Sequence, residues 1–116
     1  MDITQFNENL ATVFTDANKG ITKRLSVIAF GDTLHLTVRS KKEGHINCVN
    51  ASVFTLKPAS KPHCIELSEV WVGYDQEGSR WSDSMGGKII DCTGLKAYSA
   101  IELIVSEINA RVKEVA

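Results

Sequence analysis

Long apolar runs, a leader-like N-terminus and paired cysteines are all missing from this 116-residue chain. No apolar stretch reaches the roughly 18 residues that a membrane-crossing helix requires, so no membrane role is expected. MDITQFNENL has neither a basic n-region nor an apolar h-region, so no export signal is expected. Cys48, Cys64 and Cys92 are an odd set at uneven spacing and make no disulfide framework. Without export they read as reduced thiols of a cytoplasmic protein, and Asn50-Ala51-Ser52 reads as an unglycosylated sequon. Charge of one sign is lacking too. Thirteen basic and 14 acidic residues leave a net charge of −1, which removes bulk attraction to nucleic acid or anionic lipid as a driving force. There are two prolines, no repeat and no low-complexity tract, so residues 1–116 read as one domain without a linker. Apolar and charged fractions of 43% and 23% are those of a chain that folds.

The apolar periodicity gives two helices with strands between them. Asp2 and Gln5 make a capping-box pattern, and Ile3, Phe6, Leu10, Val13, Phe14 and Ala17 follow at helical spacing. Gly20 is the expected left-handed stop of a helix over 3–19. Gly31-Asp32 is a two-residue hairpin signal. Pairing across it opposes Ala29 to Leu34, Val27 to Leu36 and Leu25 to Val38 on one face, and Ile28 to His35 and Ser26 to Thr37 on the other. A third strand is expected over 46–57, with a bulge where the alternation changes phase near Ser52 to Phe54. A fourth is expected over 63–74, and 88–92 adds a short edge strand. Ser99 and Glu102 form a second capping box, with Tyr98 and Leu103 placed to staple around it. Ile101, Ile104, Val105, Ile108, Val112 and Val115 supply the buried stripe of the last helix. Strands in one block between two amphipathic helices predict an α+β fold. Four to five antiparallel strands would carry both helices on one face. The second face is then half apolar, and a homodimer through it is the expected use.

Chemistry-bearing patterns are weak. Asp91-Cys92-Thr93-Gly94 leads into the last helix, but Asp91 opposes a thiolate at Cys92, which reads as packing. His45 with Cys48, and His63 beside Cys64, fall short of a zinc set, since neighbours on a strand point to opposite faces. Met85-Gly86-Gly87-Lys88 lacks the Gly and Ser/Thr positions of a phosphate loop. Glu66 with Glu69, and Asp75 with Glu77, read as strand and turn residues before acid–base pairs. No metal or cofactor is expected, and no enzyme.

Two features remain. Residues 73–88, GYDQEGSRWSDSMGGK, hold four of the eight glycines and no apolar period, which reads as a long ligand-binding loop. Trp71, Tyr74, Arg80 and Trp81 would wall the pocket beneath it. Residues 19–61 carry eight basic against two acidic side chains, and 63–92 carry two against six. Arg24 faces Arg39 in the hairpin register, with Lys41 and Lys42 beyond, so this end would meet an anion, an acidic partner surface or acidic strand four. The aromatic interleaving of a single-strand reader is missing from the basic stretch, so nucleic acid is disfavoured. The expected role is a small non-catalytic binding or interaction domain, with a protein partner first, a small ligand second and catalysis last.

Overall fold

Alternation and turn chemistry agree best at the first hairpin, and there the structure follows them residue for residue. The computed structural model describes residues 3–115, with side chains for 4–20 and 24–112. Helix α1 spans Ile3–Ala17 and passes through a 3₁₀ turn, Lys19–Arg24, into β1, Leu25–Phe30. Gly31, at φ 60°, turns the chain into β2, Thr33–Arg39. The strands pair Ala29 with Leu34, Val27 with Leu36 and Leu25 with Val38. Then follow β3, Cys48–Pro58, β4, Cys64–Tyr74, β5, Arg80–Asp91, and α2, Ala97–Val115. All neighbours are antiparallel, and the sheet order is β1-β2-β3-β4-β5.

This is an α+β fold with both helices on one sheet face. Leu34, Leu36, Val38, Phe54, Leu56, Leu67 and Ile90 rise from the sheet to meet Phe6, Leu10 and Phe14 of α1 and Ile101, Ile104, Ile108 and Val112 of α2. Each such buried side chain contributes roughly 1.5–3 kcal/mol, so the apolar stripes rather than helix propensity hold the layers together. Asn18, just past the end of α1, donates to the Asn109 Oδ1 of α2 at 2.9 Å, and Phe6 and Ala100 line a shared cavity, so the helices run in the same direction. No helix among the described residues is long and apolar enough to cross a membrane.

Several expectations are corrected. The segment 73–88 is a β-hairpin: β4 continues to Tyr74 and β5 begins at Arg80. The turn between them is fixed by Asp75, whose Oδ1 accepts from the Glu77 and Ser79 amides, both at 2.9 Å, and by Gly78 at φ 81°. The bulge in β3 lies at Asn50, where the register with β4 shifts, and not at 52–54. Alternation in fact runs unbroken from Ala51 to Leu56; Val53 is simply an apolar residue on the other face. Gly20 is not left-handed, because the chain tightens into the 3₁₀ turn instead of reversing. Ser99 lies inside α2 rather than capping it: the Ala100 amide already bonds to the Lys96 carbonyl at 3.0 Å, and Tyr98 stays exposed. The Asp2 cap and the Ile3 and Val115 side chains fall outside the described residues.

Candidate functional site

A charged residue sits in the middle of the helix-covered face. Leu67 and Trp71 flank Glu69 on β4, and the pleat turns all three toward the helices. Glu69 is 5% exposed, and its carboxylate gathers three donors. Ser52 Oγ at 2.7 Å and Trp71 Nε1 at 2.9 Å donate to Oε2, while Arg111 Nε of α2 donates to Oε1 at 2.7 Å. A buried carboxylate needs such company, since desolvation alone would cost it several kcal/mol. The ladder between β4 and β5 breaks opposite Glu69, between Ser68 and Val70, where Gly86 at φ 95° takes up the extra residue of β5.

The break opens a cavity of about 160 Å³ between β5 and the C-terminal half of α2. Phe54 and Leu67 form its floor, and Glu69, Arg111, Lys88 and Glu107 stand around it beside the Met85–Gly87 backbone. Lys88 Nζ bonds to Glu107 Oε1 at 2.9 Å across the mouth. The four charges over this apolar floor pair off with one another, Lys88 with Glu107 and Arg111 with Glu69. In the sequence Glu69 reads as an ordinary strand residue; its partner lies 42 residues away, so no local pattern points to the pair.

The four residues expected to wall a ligand pocket do not converge. Trp71 and Trp81 lie on the helix side of the sheet, Tyr74 and Arg80 on the opposite side, as the register between β4 and β5 requires. Trp81 packs across Gly73, whose missing Cβ leaves room for the ring. Of the four, Trp71 alone reaches the cavity's surroundings, through its bond to Glu69.

The basic end makes contacts within itself but keeps an excess of positive charge, with Glu43 as the carboxylate paired there. Arg24 precedes β1 in the 3₁₀ turn, and its Nη1 donates to the Arg39 carbonyl at 2.9 Å. Arg39 pairs with Glu43 at 3.9 Å, four residues along. Lys41 and Lys42 lie exposed in the loop after β2, which Asn50 holds by accepting from the Gly44 amide and donating to the His45 carbonyl at 2.8 Å. Acidic β4 meets the basic stretch elsewhere, through Glu66 and Lys57 at 4.0 Å.

Among the described residues, no helix covers the far face of the sheet. Its strand residues alternate with the core set: Ser26, Ile28 and Phe30 on β1, His35 and Thr37 on β2, Val53 and Thr55 on β3, Ser68, Val70 and Val72 on β4, and Ile89 on β5. Arg39, Lys57, Glu66 and Arg80 on this face all sit at strand ends, so its centre is free of formal charge. Ile28 is 58% and Phe30 78% exposed.

Cys92 is not set up as a nucleophile. Burial first, then the neighbouring Cys64 and Asp91, push the Cys92 thiol above its ordinary value, opposite to what a nucleophile needs. Asp91 is held below the usual carboxylate range by hydrogen bonds from the Thr93 side chain and amide. No family model matches this chain, and no curated protein or solved structure matches it at a significant level.

Proposed function

We propose that this chain is a non-catalytic interaction domain whose working surface is the open face of the sheet. The observation that carries the reading is the distribution of charge on that face: none at the centre, with charged side chains confined to the strand ends. A half-apolar, charge-depleted centre with a charged rim matches the composition of protein interfaces, whose cores are depleted of charged residues. Five strands about 4.8 Å apart and roughly eight residues long offer about 600–700 Å², close to the roughly 800 Å² each partner contributes to a standard complex. Val53, Thr55, Val70 and Val72 make the patch stiff, so little side-chain entropy is lost on docking.

The decisive comparison is between the protein and its Val70→Lys variant, each immobilised and exposed to native lysate. Partners held by the first and lost from the second support the reading. Partners held equally by both remove the open face from it.

A second reading, small-ligand binding, is favoured by one observation, the buried Glu69–Arg111 pair beside the 160 Å³ cavity. A metabolite that raises the thermal midpoint of the protein but not of Arg111→Leu would establish it. A ligand at about 100 times its Kd adds roughly 2.7 kcal/mol, a shift of several degrees in a domain of this size. A panel without shifts leaves the open face as the working surface.

A further inference from the structure

The two edges of the sheet differ in a way that the open face alone does not explain. Natural sheets guard their edges with charges, proline, bulges or glycine kinks, because an edge strand presents a row of unpaired N–H and C=O groups. The β5 edge has such guards: Arg80, Asp83, Lys88 and Asp91, a register break, and Gly86-Gly87 within it. The β1 edge has none. Leu25–Phe30 is LSVIAF, without charge or proline, and its ladder to β2 is unbroken over all six residues. The most exposed apolar side chains of the open face, Ile28 and Phe30, sit on this same strand.

We propose that β1 pairs with β1 of a second copy, antiparallel about a two-fold axis at Ile28, joining two five-stranded sheets into one of ten strands. Side-chain alternation restricts the register. A two-fold pair keeps its faces matched only when the numbers of opposed residues add to an even sum. A sum of 56, derived from Ile28 meeting itself, opposes Val27 to Ala29 on the helix side and Ser26 to Phe30 on the open side. Ile28 then lies diagonal to the second copy's Phe30, within reach of its ring. The same register brings Arg24 level with Asp32 of the second copy at both ends of the pair, so the charges that flank β1 are complementary across the seam. Centring on Val27 instead would set Arg24 against Phe30 and leave Asp32 unmatched.

This goes beyond the interaction reading and relocates the expected self-association from the centre of the open face to its edge. The two copies would present one continuous open face twice as wide. Their association would leave that face available to a different partner.

The test is the solution mass by sedimentation at a concentration well above a micromolar Kd. The expected result is the mass of two 12.7-kDa chains. Ile28→Lys, which sets two ammonium groups against each other on the axis, should raise the dimer Kd by about a hundredfold. Phe30→Lys should do the same, at a position too exposed to perturb the fold. Val70→Lys, in the middle of the open face, should leave the dimer intact. A monomeric wild-type protein overturns the proposal without touching the interaction reading. So does a dimer that survives both β1 variants, or one abolished by Val70→Lys, which would place the interface at the centre of the face.

Discussion

Trp81 lies across Gly73 so closely that a Cβ on Gly73 would sit 2.5 Å from the indole ring and 2.4 Å from the Cys48 carbonyl oxygen. The Cys48 carbonyl is backbone and cannot yield at that distance, so a Cβ must push the strand or the ring aside. Gly73→Ala should therefore destabilise the protein by about 1–3 kcal/mol through overpacking. Urea unfolding followed by tryptophan fluorescence checks this, with a displaced Trp81 also changing the native emission.

The Glu69–Arg111 bond ties α2 to the sheet from inside. Arg111→Leu leaves a carboxylate at 5% exposure with only Ser52 and Trp71 as donors. The expected loss is about 1.5–3 kcal/mol, the range for a hydrogen bond to a charged group. Glu69→Leu with Arg111→Leu should cost less than the sum of the single changes, because neither charge is then stranded. Additive losses would mean the pair is not coupled.

Buried Cys64 should resist alkylation until the protein unfolds, half-buried Cys48 should react first, and Cys92, equally half-buried but with a raised pKa, should react more slowly than Cys48. Peptide mapping after timed iodoacetamide treatment reads this directly. The raised Cys92 pKa also sets a sign for stability. The folded state holds that proton more tightly than the unfolded chain does. Its contribution is therefore complete below the ordinary value of 9.0 and declines as pH rises past it. Cys92→Ala should flatten that decline.

Amide exchange separates a hairpin from a loop at residues 80–84. Alternate amides there should be slow, since β5 bonds to β4 on one side only. Uniformly fast exchange would restore the loop.

The first hairpin was legible because its turn residues and its alternation demand the same register. Residues 80–85, RWSDSM, gave no such agreement. Ser82 to Met85 are exposed, so burial imposes no alternation on them, and the ladder to β4 alone makes them a strand. The bulge misplaced to 52–54 has a related cause: Val53 was counted toward the core, whereas it belongs to a second apolar face. Glu69 was invisible for another reason, since a buried carboxylate is recognised by its partners, and Arg111 meets it only after folding.

Because every strand neighbours the one before it in the chain, the sheet can assemble as a succession of local hairpins without any long loop closure. The helices cannot follow that order. The apolar stripe of α1, made by the first residues, finds its companion only in residues 100–112. During synthesis, then, Phe6, Leu10 and Phe14 must wait through the emergence of all five strands before α2 joins them. Until α2 is made, the apolar stripe of α1 therefore lacks the helix that completes its cover.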